Sequence, residues 1–178
     1  DTSTRFASTA LYREGLIAEH SWQTRDDHTK ELLPAIDRLI KQQRAEVSDI
    51  AGVAVALGPG SFNGLRVGVS TAKALALPLR IPVAGIGTLE ASAYQYAGVR
   101  MPVRALLNAG RGQINTALFE GNSETWRQLE PPEAVTLEEL INRVREPVII
   151  CGEVEPGWAA ELRHHLGTLI YLPPIAGR

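Results

Sequence analysis

The chain has 178 residues, a formal net charge of −2, 44% hydrophobic and 21% charged residues, and one cysteine. These proportions belong to a globular protein long enough for a substantial core, in one domain or two small ones, and they exclude an internal disulfide and a chain-wide basic footprint for RNA. No apolar run reaches bilayer length and no basic region precedes a signal-type core in these residues, so a cytoplasmic place is expected, with nucleic acid met only through a partner.

In chain order, residues 6–12 and 16–22 read as two strands joined by Arg13-Glu14-Gly15, short enough for a hairpin. Over 28–43 the period changes to helical. Leu32, Leu33, Ile36, Leu39 and Ile40 form one apolar face, with Asp26 and Asp27 as candidate N-caps. Pro34 either sits in the first turn or kinks the helix, since an interior proline costs about 3 kcal/mol. Residues 46–50 lead to the apolar run 51–57, a buried strand that stops at Gly58-Pro59-Gly60. Ser61 then caps a helix to about Leu77, where Pro78 limits continuation. Gly64, Gly68, Ala72 and Ala76 recur every fourth residue, so small side chains line one face and admit a close backbone, inside the domain or from a partner.

After a short strand at 82–84, Thr88 caps a helix over 88–96, and Gly98 and Pro102 mark the expected division into domains 1–98 and 99–178. Beyond it, strands are expected at 103–107, 114–119 and 125–129. A helix at 136–144 opens with the capping box Thr136-x-x-Glu139. A buried strand at 148–151 holds Cys151, followed by a helix at 158–166 and a last strand at 169–172. Strands, helix, strand, helix, strand thus occur twice, the order expected of a duplicated α/β domain with mixed sheets.

A strand ending in a glycine turn before a helix N-terminus is a ready anion site, yet the formal motifs fail. Gly58-x-Gly60-x-x-x-Gly64 is one residue too long for the dinucleotide fingerprint, and no Gly-Lys-Ser/Thr follows as in a P-loop. Ser61 lacks the G-x-S-x-G of a nucleophile elbow. His20, His28, His164 and His165 make neither H-x-x-x-H nor H-E-x-x-H, so no metal site is expected. Asp26, Asp27 and Glu31 beside His28 read as helix N-terminal charges rather than an acid–base set, and Trp22, Trp126 and Trp158 are too scattered to stack on a base. Arg66 is placed to meet an anion, a partner carboxylate or a surface ion pair.

GPGSFNGLRVG, STAKALAL and IPVAGIGTLEA, with Asp1-Thr2-Ser3-Thr4 and HTKELLPAI before them, resemble the signature of the TsaB (YeaZ) family, bacterial proteins needed to make threonylcarbamoyladenosine in tRNA. The likeness thins after about Leu107. It implies the actin-like ATPase (ASKHA, ribonuclease H-like) fold, two halves facing across a cleft, with an N-terminal strand cut short before Asp1 and C-terminal elements missing after the Pro173–Arg178 tail. It also implies a non-catalytic scaffold that binds a TsaD-like catalytic subunit and works with a TsaE-like ATPase. A homodimer is open when the chain is alone, tRNA is met only within the complex, and no cofactor or membrane is involved.

On this resemblance, partner binding is expected at His28, Leu32, Leu33 and Ile36 of the first helix. On the second it is expected at Phe62, Gly64, Leu65, Arg66, Gly68, Val69 and Ala72. Thr2, Ser3, Gly60 and Ser61 stand where the superfamily contacts nucleotide phosphates, as a weak or vestigial site. TsaD's metal-binding histidine pair is missing. Asn108 and Gln113 replace an Asp and a Glu common in the family turn, which removes charge that a hard cation would need, and Asn63 replaces a threonine. The rivals are a glycoprotease-like peptidase, a small ATPase or kinase, and a self-associating module using the same helix face.

Overall fold

The computed structural model describes residues 1–24 and 27–173, so the candidate cap Asp26 and most of the Pro173–Arg178 tail lie outside the described residues. The contacts within the chain form two compact units, Asp1–Gly87 and the residues from Thr88 onward. The division therefore falls at Thr88 rather than at Gly98.

In the first unit, β1 (Phe6–Tyr12) and β2 (Leu16–Gln23) pair antiparallel from Phe6↔Gln23 to Tyr12↔Leu16 around a turn in which Glu14 has φ 57°. Helix α1 (His28–Gln42) packs on both strands, burying His28, Leu32, Ala35, Leu39 and Ile40. The expected apolar face needs one correction: Leu33, one residue and about 100° on from Leu32, is 52% exposed. Pro34 lies inside the helix, not in its first turn. Asp27 occupies the cap position without capping; its carboxylate pairs with Lys30 at 2.6 Å instead.

Strand β3 (Val53–Gly58) pairs parallel with β4 (Val83–Gly87), and α2 (Phe62–Leu79) makes the crossover and packs on both. The Ser61 hydroxyl accepts from the Gly64 amide at 3.3 Å, as expected of an N-cap. The helix runs past Pro78 to a left-handed Arg80, whose amide closes on the last turn.

The second unit is a five-stranded mixed sheet in the order β7-β6-β5-β8-β9. Its strands are β5 (Val103–Gly110), β6 (Gln113–Glu120), β7 (Arg127–Thr136), β8 (Val148–Gly152) and β9 (Ile170–Tyr171). Neighbours β5, β6 and β7 run antiparallel, whereas β8 is parallel to both β5 and β9. Side chains alternate across β5, as the pleat requires. Val103, Ala105 and Leu107 face a core under α3 (Thr88–Tyr94), together with Leu89 and Phe119. Leu106 faces the opposite core under α4 (Leu137–Arg143) and α5 (Pro156–Leu166), with Leu140, Ile150 and Leu162. Leu89 and Ala93 therefore assign α3 to this sheet, which is why the unit begins at Thr88.

Three bounds differ from expectation for identifiable reasons. The strand expected to end at 129 runs on to Thr136, taking in Pro131 and Pro132, because β7 is the sheet edge and its register shifts opposite Ala117, where no ladder donor is needed. Pro156 opens α5 two residues early, being suited to a first helical turn. Residues 108–113 continue β5 into a tight hairpin to β6, through Gly110, Arg111 and Gly112 at φ 76°, 55° and 76°. The capping box of α4 forms as the spacing predicts, with the Glu139 amide donating to Thr136 Oγ1 at 3.2 Å and Glu139 Oε2 accepting from the Thr136 amide at 2.8 Å.

Candidate functional site

The Gly58–Ser61 turn, the N-terminus of α2 and residues 1–4 come together in the first unit. Asp1 pairs with Ser8 of β1 through both backbone groups, at 2.8 and 2.9 Å. The chain then crosses α2. Thr2 Oγ1 donates to the Gly64 carbonyl at 2.8 Å, and the Ser61 amide donates to the Ser3 carbonyl at 2.6 Å. Ser3 turns its own amide (2.7 Å) and hydroxyl (2.6 Å) onto the Asp1 carboxylate. Thr2 and Ser3 are 2% and 1% exposed, whereas Asp1, Gly60 and Ser61 at the edge of this clasp are exposed.

The glycines exist for this crossing. A Cβ on Gly60 would overlap the Ser3 carbonyl, one on Gly64 would overlap the Thr2 carbonyl, and one on Gly68 would come within 2.6 Å of Thr2 Oγ1 and 3.5 Å of Val55. The small-residue stripe thus receives the chain's own N-terminal segment. That corrects the expectation that Gly64, Gly68 and Ala72 form a surface for another protein, because all three are buried within the unit. Leu32 and His28 are buried too, with His28 Nε2 lying beside Gly64. Of the residues expected to bind a partner, Leu33, Phe62 and Arg66 are exposed and Ile36, Leu65 and Val69 half-buried. The Arg66 guanidinium lies 5.5 Å from the Phe62 ring centroid.

The expected phosphate contacts meet here in a form that opposes an anion. The Ser61 amide, the Thr2 hydroxyl and both Ser3 donors already serve partners inside the clasp. Asp27 and Glu31 near His28 behave as structural groups as well. Hydrogen bonds from Thr24 and from Trp22 hold the Glu31 carboxyl below its ordinary value, the Trp22 bond being 2.9 Å long. Trp126 stacks on Phe119 and Trp158 packs in the core under α4 and α5, so neither is free for a base. In the second unit Asn108 donates to Glu155 and accepts from the Gly110 amide, which pins the β5–β6 hairpin to the start of α5. A concavity of about 710 Å³ in the same unit is lined by Arg100, Met101, Glu120, Asn122 and Arg127, among others, and its Arg127 is committed to Glu120. Among the described residues, no three His, Cys, Asp or Glu side chains are grouped to hold a metal ion.

Sequence reasoning missed the exposed remainder of α2. Leu77 is 75% exposed, and Lys73 and Arg80 flank it. The signal was present in the sequence as a seven-residue spacing from Arg66.

The comparisons agree with this architecture. The family model described as TsaD: tRNA N6-adenosine threonylcarbamoyltransferase matches residues 19–151. The tRNA threonylcarbamoyladenosine biosynthesis protein TsaB of Bacillus subtilis (strain 168) is 32% identical over 159 residues, covering 85% of this chain and 68% of the relative. The protein of the same name from Escherichia coli (strain K12) is 30% identical over 166 residues, covering 90% and 71%. The solved structure of YeaZ from Pseudomonas aeruginosa superposes with a TM-score of 0.70 at 25% identity, over 82% of this chain and 67% of that one. The fold is therefore the mixed α/β, actin-like (ASKHA) one, and the chain belongs to the TsaB (YeaZ) family.

Proposed function

We propose that this chain is the non-catalytic subunit of the bacterial machinery that adds threonylcarbamoyl to the adenosine beside the tRNA anticodon, and that it holds a TsaD-like transferase through the outer sides of α1 and α2. The relatives' names supply the pathway. One observation supports the docking role: Leu33 and Phe62 stand 52% and 73% exposed on helices whose opposite sides are already packed on their own unit. The first unit is the binding half in this reading, and the working place is the cytoplasm. A TsaE-like ATPase and tRNA join only in the assembled complex, and a homodimer through the same helices is the resting alternative.

The test is co-elution on a sizing column with the TsaD-like transferase of the same organism. Leu33→Asp and Phe62→Asp are each expected to weaken association at least about tenfold while shifting the thermal midpoint by no more than about 3 °C, since both side chains already face water. Co-elution of both variants at wild-type strength, or no co-elution of the wild type, would remove the proposal.

For the nucleotide, the engaged donors support the reading that Thr2, Ser3, Gly60 and Ser61 hold the chain together and not a phosphate. Calorimetric titration of the isolated chain with Mg-ATP is expected to give no saturable heat up to about 1 mM. Tight binding lost in Thr2→Ala or Ser3→Ala would show the opposite.

A further inference from the structure

Both cations on α2, Arg66 and Lys73, lie on one side, and among the described residues neither is in an ion pair. From Phe62 to Leu79 the helix contains no Asp or Glu. Arg66 and Lys73 are seven residues apart, two helical turns, so they share one line about 10.5 Å apart, and Arg80 follows in the left-handed residue that ends the helix. None of the three takes part in an ion pair among the described residues, although the net charge of the whole chain is −2. The same side carries Phe62 and Leu77, 73% and 75% exposed. Lys73, Leu77 and Arg80 also line a shallow groove of about 410 Å³ together with Ala76, Ile81 and Val83. Two cations beside four aliphatic side chains describe the complement of an amphipathic acidic segment.

We infer that this side of α2 receives an acidic helix of the partner, one carrying carboxylates two turns apart with aliphatic side chains between them. The inference rests on the partner reading above and adds the chemistry of what is held. A polyphosphate backbone would satisfy the cations while leaving Phe62 and Leu77 in water, whereas a helix of matched pattern covers both. Arginine and aromatic side chains are also the residue types on which protein interfaces concentrate their energy. Recognition of this kind depends on ionic strength, because rim charges act through water.

The experiment uses the full chain and its triple variant Arg66→Gln/Lys73→Gln/Arg80→Gln. Binding to the TsaD-like transferase is measured at 50 and 500 mM NaCl. The wild type is expected to weaken about tenfold across that range, and the triple variant to bind about tenfold more weakly at low salt with little further change. Wild-type binding that ignores salt, matched by the triple variant, overturns the inference and leaves the partner reading standing. If the wild type does not bind the transferase at all, the partner reading falls, and a second arm decides the inference. That arm uses a synthetic helical peptide with Glu at every seventh position and Leu between, against its Gln counterpart. Preference for the Glu peptide, lost in the triple variant, supports the inference; equal or absent binding overturns it. A stem-loop RNA is the third probe, and RNA binding abolished in the triple variant would assign the stripe to nucleic acid and overturn the acidic-helix inference.

Discussion

Gly64→Ala is expected to lower the thermal midpoint by about 4–8 °C, and Gly68→Arg to abolish the cooperative transition of the first unit. The Gly64 substitution meets backbone: its new methyl overlaps the Thr2 carbonyl oxygen. Thr2 cannot retreat cheaply, because its hydroxyl is bonded to Gly64 O at 2.8 Å and the next residue's carbonyl holds the Ser61 amide at 2.6 Å. Moving the segment breaks both bonds and opens the contact between α2 and residues 1–4. Overpacking of this kind costs up to about 3 kcal/mol or somewhat more, against roughly 1 kcal/mol regained from the better helix propensity of alanine. For a chain of this length each kcal/mol moves the midpoint about 2–4 °C. At Gly68 the new side chain is longer and charged, in a space bounded by Thr2 Oγ1 at 2.6 Å and Val55 at 3.5 Å. Circular dichroism melts decide the matter. If both variants melted within about 2 °C of the wild type while losing only their partner, the stripe would belong to an interface after all.

The second large effect lies in the other unit. Arg104 is 3% exposed on β5, and its guanidinium makes two bonds of 2.8 Å to the two oxygens of Glu130 on β7. Removing Glu130 strands a buried cation, and Glu130→Ala is expected to cost about 2–3 kcal/mol. The figure sits below the usual range for buried pairs because the Glu130 side chain is 38% exposed and water compensates in part. Replacing both residues, as Arg104→Met/Glu130→Leu, is expected to recover most of that loss, since no charge is then left alone. The pair also sets a pH dependence. Hydrogen bonding from Arg104 holds the Glu130 carboxyl below its ordinary value of 4.5, so the unfolded chain takes up the proton more readily than the folded one. The stabilisation is complete above about pH 4.5 and is lost as pH falls through the lowered folded value. Urea midpoints from pH 7 to pH 3 should show the wild type losing this component while Glu130→Gln does not. Equal pH slopes for the two proteins would dismiss the role.

Periodicity made the long elements legible because their burial is local in cause. Leu32, Leu39 and Ile40 recur at helical spacing, and Val148–Gly152 is an uninterrupted apolar run between turn residues. What sequence order could not convey is which layer a short element joins. Helix α3 follows β4 directly and reads as the end of the first half, yet Leu89 and Ala93 are buried with Phe119 and Ile149. The strand expected at 125–129 runs on through Pro131 and Pro132 because their tolerance depends on β7 having a neighbour on one side only, a fact of topology. At the site, spacing alone showed a capped, glycine-striped helix but not its occupant. Thr2 and Gly64 are separated by 62 positions, and no local pattern connects them. The family resemblance gathered Thr2, Ser3, Gly60 and Ser61 into one place, while their roles had to be read from which donors were already engaged. Leu33 was assigned to the buried face by hydrophobicity, when its angle on the helix places it outward.

Cys151 lies within β8, flanked by β5 and β9 and 4% exposed, with its sulfur 3.6 Å from the Ser92 carbonyl of α3. As the chain has a single thiol and the first unit has none, an alkylating reagent reacts only through excursions that part α3 from the sheet. Its labelling rate therefore counts openings of the second unit alone. Clasp variants such as Gly64→Ala can thus be tested for whether a break in one half of the molecule is felt in the other, with the native side chain as the reporter.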